Sequence, residues 1–127
     1  MLLLSLAVTF ALPAVLDKPL EGKWELTSLE RDGKPDAAMQ GAVRVHEGDK
    51  YSLTPKGGKT VTGTYTADAK TLDMKPDDGR YKGKTLLGIY KIEGDTLTIC
   101  FADPGQPRPT EFASKTGVVV AVHKRLK

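Results

Sequence analysis

GKTVTGTYTADAKTLDM at positions 58–74 repeats without a gap as GKTLLGIYKIEGDTLTI at positions 83–99. Seven of the seventeen aligned residues are identical, and each copy has two runs of alternating residues joined by a short polar segment. Side chains of a strand alternate between its two faces. The first copy therefore places Val61, Gly63 and Tyr65 on one face and a row of threonines on the other. The repeat predicts two successive β-hairpins of one design.

The second copy differs from the first on one face. Leu87 and Ile89 stand where the first copy has threonines, so both faces of this strand are apolar. An apolar outer face is stable only when something covers it. We expect this strand either to be covered on its outside or to form part of an interface.

Turn-forming pairs that contain glycine divide the rest of the chain at short intervals. Regular spacing of this kind, without an amphipathic run of helical length after residue 16, is typical of an antiparallel meander. We expect an all-β fold, an antiparallel barrel of about eight strands with one short helix near residues 35–41. The strands are predicted near residues 23–30, 42–46, 50–55, 59–67, 71–75, 84–93, 95–102 and 117–126.

Gly63 and Gly88 fall in the middle of predicted strands, where glycine weakens pairing unless the chain bends or something packs close to it. Small closed barrels need such bends. We expect Tyr65 and Tyr90, two positions further on, to lie over these glycines. The alternative is that the bare glycines leave space for a bound ligand.

Composition limits the function classes. The 127 residues fit one domain, since a chain of this size buries roughly two-thirds of its unfolded surface. The net charge of +3 comes from basic and acidic residues spread along the chain, which argues against a nucleic-acid partner. The single cysteine, Cys100, excludes an internal disulfide, and we interpret it as a buried, unreactive thiol.

The sequence contains no catalytic signature. It has no nucleophilic serine motif, no phosphate-binding loop and no dinucleotide-binding glycine turn. The two histidines, His46 and His123, lack the close spacing that is typical of metal ligands. We therefore predict a protein that is not an enzyme and that has no metal or other cofactor.

Residues 1–16 carry no charged side chain and include the apolar run LLLSLAVTFA at positions 2–11. The run is too short to span a bilayer, which takes about 20 apolar residues. It is typical of a secretory signal peptide, although a basic segment before it is missing. We interpret 1–16 as a signal peptide and 17–127 as one secreted or periplasmic domain, with no stable membrane insertion once the leader is removed. A buried apolar arm and an uncleaved anchor are the alternatives.

Four segments carry a family resemblance: LEGKW at 20–24, GKTLLGIY at 83–90, GDTLTICFA at 94–102 and RPTEFAS at 108–114. Together they closely resemble an uncharacterised lipocalin-like domain family that is abundant in Planctomycetes. The resemblance covers nearly all of the chain after the leader, apart from a shortened segment near residues 67–73. It implies a lipocalin-like, calycin-type barrel in which Gly22 and Trp24 meet Arg125 of the last strand at the closed end. The family brings no established activity.

Two function classes stay open. In the first, the barrel binds a small hydrophobic molecule, with eight-stranded barrels as the precedent. In the second, side chains fill the barrel, which acts as an exported protein-interaction or inhibitor module. Arg108 and Glu111 form a further candidate pair, which either binds an anion or pins its loop. The predicted ligand-lining residues are Tyr65, Tyr90, Leu97, Ile99, Phe101 and Val120.

Overall fold

The computed structural model describes residues 19–127, so the predicted signal peptide at 1–16 lies outside the described residues. These residues form strands and one 3-10 helix, with no other helix among them. The strands are β1 (Gly22–Arg31), β2 (Lys34–Pro35), β3 (Val43–Glu47), β4 (Lys50–Thr54), β5 (Val61–Ala67), β6 (Thr71–Pro76), β7 (Leu86–Glu93), β8 (Thr96–Ala102) and β9 (Val118–Arg125).

The strands form one closed antiparallel sheet. From β3 to β9 each strand pairs with the next, and β1 pairs with both β3 and β9, which closes a barrel of eight strands. The short strand β2 pairs only with the end of β1 and lies outside the closed barrel. The predicted all-β barrel is thus confirmed. The helix expected near 35–41 is the single 3-10 turn Ala37–Met39, whose first residues are capped by the Asp36 carboxylate.

The two hairpins of the repeat have the predicted faces. On β5 the threonines are exposed, Gly63 is buried and Tyr65 is half-buried. On β7 the outward side chains Leu87 and Ile89 are half-buried, because residues 103–117 run over the outside of β7 and β8. The apolar outer face of β7 is therefore covered within the chain itself.

The glycines in the strands have a different neighbour from the one that the sequence suggests. A Cβ built at Gly63 would lie 2.7 Å from the ring of Tyr51 on the adjacent strand β4 and 2.6 Å from a backbone oxygen. At Gly88 it would lie 2.9 Å from the Cys100 carbonyl oxygen and 3.1 Å from Phe101. The expectation for Tyr65 and Tyr90 is wrong, because cross-strand partners lie closer than a residue two positions along. The space over both glycines is occupied by the protein.

The barrel interior holds one continuous hydrophobic core. Trp24, Leu72, Leu97 and Ile99 are all fully buried in it. None of the helical structure in residues 19–127 is long and apolar enough to cross a membrane.

Candidate functional site in the barrel interior

Two polar side chains of β3 lie inside the barrel. The strand reads Val-Arg-Val-His-Glu, and its alternation alone favours the valines as the inward residues. Pairing with β1 reverses this, because Arg44 stands opposite the inward residue Trp24 and cross-strand partners share a face. Arg44 is 4% exposed and His46 is 1% exposed, whereas the valines are half-buried. A cation and an imidazole therefore lie in the interior.

Arg44 reaches across the interior and makes weak contacts. Its Nε donates to Nε2 of His123 at 3.3 Å, and its Nη1 donates to the Sδ atom of Met74 at 3.7 Å. The guanidinium carbon lies 5.6 Å from the centre of the Tyr51 ring. None of the four ion pairs formed by residues 19–127 includes this guanidinium. Within the described chain, Arg44 is thus a buried cation without a carboxylate partner.

The two histidines complete the polar cluster. His123 has Nδ1 at 3.2 Å from the Leu97 carbonyl oxygen, so Nδ1 carries the proton and Nε2 accepts from Arg44. His46 lies with its ring edge against Tyr65, the ring centres being 4.5 Å apart. Both ring nitrogens of His46 are buried and have no hydrogen-bond partner among residues 19–127. We refer to Arg44, His46 and His123 as the interior cluster.

Burial determines the charge of the interior cluster. It lowers the pKa of Arg44 to about 10, so the guanidinium stays protonated at neutral pH. Burial, with the Arg44 charge adding to it, lowers the pKa of His46 and of His123 from 6.5 to about 3. Both imidazoles are therefore neutral at physiological pH. The interior cluster carries a single positive charge in a medium that solvates charge poorly.

Most of the predicted lining residues lie inside the barrel. Leu97, Ile99 and Phe101 of β8 are buried in the core. Tyr65 packs on His46, and burial raises its pKa, so its hydroxyl is neutral. Tyr90 donates its hydroxyl proton to the Asp68 carbonyl oxygen at 2.6 Å, which ties it to the turn after β5. Tyr65 thus contacts the interior cluster, and Tyr90 holds the turn after β5 through its hydrogen bond.

The assignment of Val120 to the interior is wrong. Val120 stands opposite Cys100, whose thiol faces the covering segment 103–117 on the outside. The inward residues of β9 are Val119, Ala121 and His123, which pair with inward residues of β8. The valine-rich sequence of β9 is apolar on both faces, so only its register with β8 decides which residues lie inside.

The end of the barrel near residues 19–22 is closed by Trp24 and Arg125. The guanidinium carbon of Arg125 lies 4.0 Å from the centre of the fully buried indole. Arg125 also donates to the carbonyl oxygens of Glu21 and Pro19, and the indole Nε1 donates to that of Leu20. Gly22 has a φ of 124°, and a Cβ there would lie 3.0 Å from the Arg125 guanidinium.

Arg108 and Glu111 do not contact each other in an ion pair, which corrects the predicted pairing. Arg108 pairs instead with Asp73, with 2.8 Å between Nη1 and Oδ1, and donates to the Gly88 carbonyl oxygen at 2.8 Å. Glu111 pairs with Lys115 on the surface. The segment after β8 places Arg108 over the outer wall of the barrel. Its guanidinium there contacts Asp73 of β6 and Gly88 of β7 rather than Glu111. Arg108 therefore pins the covering segment 103–117.

The covering segment also seals Cys100. The thiol is fully buried and donates to the Glu111 carbonyl oxygen at 3.4 Å. Burial raises the pKa of the Cys100 thiol, which keeps it protonated and weakly nucleophilic. The geometry agrees with the expected unreactive thiol.

Two open hollows lie on the outer wall of the barrel. One, of about 310 Å³, is bordered by Ser52 and Thr62, and the other, of about 400 Å³, is bordered by Thr66 and Lys75. Tyr51 and Met74, which contact Arg44, also border one hollow each, but Arg44 and the two histidines border neither. Within residues 19–127, no three His, Cys, Asp or Glu side chains are grouped closely enough to hold a metal ion.

No protein-family model and no curated protein matches the chain. The interior cluster is thus defined by its geometry alone. Sequence reasoning missed Arg44 and treated His46 and His123 only as poor metal ligands. The signal that could have found them is the pairing of β3 with the strand that carries Trp24, which a single sequence does not display.

Proposed function

We propose that this protein is an exported barrel that binds a small, mainly apolar molecule in its interior. The observation that carries the proposal is Arg44, which is fully buried without a carboxylate partner in residues 19–127. A buried charge costs several kcal/mol, and an apolar side chain of similar volume fills the same space at lower cost. Binding of a ligand to the guanidinium explains why the interior contains a charged residue rather than an apolar one.

The side chains around Arg44 support this proposal because they are of flexible types. Arg44 and Met74 are long and unbranched, and their mutual contact is a weak hydrogen bond at 3.7 Å. Methionine adapts to irregular spaces more readily than branched side chains do. Rotation of these two side chains would open space within the hydrophobic core, to which Met74 belongs.

A second candidate is an exported protein-interaction or inhibitor module with a filled barrel and no ligand. The observation in its favour is the completeness of the core, in which Trp24, Leu72, Leu97 and Ile99 have no exposed surface. In that case Arg44 fills space as a long side chain, and the outer wall carries the function.

Ligand binding is tested with protein purified from its own host and measured by native mass spectrometry, and with an environment-sensitive apolar dye. We expect a bound small molecule, and dye binding near micromolar Kd, about −8 kcal/mol. Met74→Phe should weaken dye binding by stiffening the space beside Arg44. Thr96→Phe, at the exposed start of β8 and away from both hollows, is the matched control and should leave it unchanged.

The absence of both a bound mass and dye binding in the folded protein would favour the filled barrel.

Export is tested separately by N-terminal sequencing of the host protein. The mature chain should begin between residues 12 and 18 in an extracytoplasmic fraction. An intact Met1 in the cytoplasm would contradict secretion.

A further inference from the structure

We infer that the ligand carries one negative charge, a carboxylate head group that the donors of Arg44 and His46 bind inside the barrel, with an apolar body among the core side chains. This inference rests on the proposed function and specifies the chemistry of the molecule that is bound. Its basis is the set of hydrogen-bonding groups that the interior cluster leaves weakly used or unused.

The first unused capacity is that of Arg44. A guanidinium has five N–H donors arranged to meet both oxygens of a carboxylate. In this structure two of its nitrogens contact an imidazole nitrogen at 3.3 Å and a thioether sulfur at 3.7 Å. Both distances exceed the roughly 2.8 Å of a charge-assisted hydrogen bond, and sulfur is a weak acceptor. A carboxylate would replace two weak contacts by strong ones.

The second unused capacity is independent of Arg44. His46 is 1% exposed, and neither of its ring nitrogens has a partner among residues 19–127. A neutral imidazole has one donor and one acceptor, and leaving such groups buried without partners costs about 1 to 3 kcal/mol each. Arg44 and His46 are two residues apart on one face of β3, roughly 7 Å along the strand. The donor of His46 can therefore serve the same head group as the guanidinium.

Charge selects among head groups. The interior cluster carries one positive charge, since Arg44 is protonated and both histidines are neutral. Tyr51, whose ring faces the guanidinium, keeps a neutral hydroxyl because burial raises its pKa. A singly charged carboxylate balances this charge. A neutral head group leaves the cation uncompensated, and a dianion brings a second charge that the interior cluster does not match.

The surroundings select an apolar body. Two members of the interior cluster contact residues of the hydrophobic core. His123 contacts the Leu97 carbonyl oxygen, and Arg44 contacts the Met74 sulfur. The rest of the interior belongs to the hydrophobic core. A molecule whose head group reaches Arg44 must place the remainder against these apolar side chains. An unbranched carboxylic acid of medium chain length is the simplest molecule with both properties.

The inference is tested by calorimetric titration of the mature protein with decanoic acid and with 1-decanol, which share one chain and differ in head-group charge. We expect the wild type to bind decanoate at least about tenfold more tightly than decanol, since a charged hydrogen-bonded pair is worth a factor of this order. Arg44→Met should bring this ratio close to one, and Arg44→Lys should retain part of it. Lys75→Met removes one positive charge from the exposed face of β6 and should keep the wild-type ratio.

Three outcomes overturn the inference, and they separate it from the proposed function. Equal binding of decanol and decanoate to the wild type leaves interior binding in place and refutes the carboxylate site. A preference that persists in Arg44→Met moves the anion away from the interior cluster. No binding of either compound, together with no dye binding, refutes the proposed function as well. Circular dichroism of each variant shows that the comparison concerns folded protein.

Discussion

Replacing Arg44 by Met should leave the ligand-free barrel equally stable or more stable, which is unusual for a fully buried residue. Burial lowers the pKa of Arg44 to about 10, from a usual value above 12. Each pKa unit corresponds to about 1.4 kcal/mol, so holding the charge in the folded interior costs about 3 kcal/mol. Methionine has a similar length and no charge, and it removes this cost.

Part of the gain is lost at His123. Its Nε2 accepts a hydrogen bond from Arg44 and would be left without a donor, which costs about 1 to 3 kcal/mol. The expected net change in the free energy of unfolding is therefore between about 0 and +2 kcal/mol. Urea denaturation followed by circular dichroism measures it directly.

Arg108→Met is the matched control, because it removes the same side chain from a site where the charge is paired. Arg108 contacts the Asp73 carboxylate at 2.8 Å and donates to the Gly88 carbonyl oxygen at 2.8 Å. Its side chain is partly exposed, so its loss should destabilise the protein by about 1 to 2 kcal/mol. If Arg44→Met instead loses more than about 1 kcal/mol, Arg44 is satisfied within the fold, and the argument from an uncompensated charge is refuted.

Three further predictions concern the rest of the barrel. Trp24→Ala should lower the free energy of unfolding by about 3 to 5 kcal/mol, as for other buried aromatic residues, and a melting temperature within a few degrees of the wild type would contradict a closing role for the indole. The pKa values of His46 and His123 fall from 6.5 to about 3 on folding, so below pH 6.5 the unfolded chain binds protons that the folded chain does not. The free energy of unfolding should therefore be highest above pH 6.5 and should fall by about 1.4 kcal/mol per pH unit for each histidine as the pH drops toward 3. His46→Phe should reduce that slope by one histidine's share in urea titrations at several pH values, and an unchanged slope would show that folding does not lower the pKa of His46. Gly63→Ala should cost about 1 to 3 kcal/mol, because its Cβ would lie 2.6 Å from the Lys75 carbonyl oxygen and 2.7 Å from the Tyr51 ring, and an unchanged urea midpoint would contradict this close packing.

The fold could be predicted from the sequence because its signals are local. Turn pairs such as Asp32-Gly33, both with positive φ in the structure, mark where the chain reverses. Between the turns, alternation on β5 separates exposed threonines from Gly63 and Tyr65. Antiparallel neighbours joined by short turns leave few other topologies for such a chain. The order of the consecutive strands β3 to β9 follows from these features, whereas the short strand β2 and the closing pair β1–β9 do not.

The interior cluster could not be predicted because it depends on register between strands that are far apart in sequence. Arg44 lies inside through its pairing with Trp24, twenty residues earlier in the chain. His123 lies inside through its pairing with Leu26 and Leu97, and the same register places Val120 outside. A shift by one residue would exchange the two faces of each strand without changing any local pattern. Local patterns therefore predict the barrel, and only the paired structure identifies what lies inside it.

The two experiments on Arg44 have to be considered together, because stability and ligand preference can separate. In the first case, Arg44→Met is more stable than the wild type and also loses the preference for decanoate. The buried charge then lowers the stability of the fold and is needed for binding, as is common at functional sites. If the variant is more stable and no ligand binds the wild type, the same charge is an uncompensated feature of a filled core. If it is less stable, the contacts with His123 and Met74 hold Arg44 more strongly than their lengths of 3.3 and 3.7 Å indicate. Only the first combination supports both the binding barrel and its carboxylate ligand.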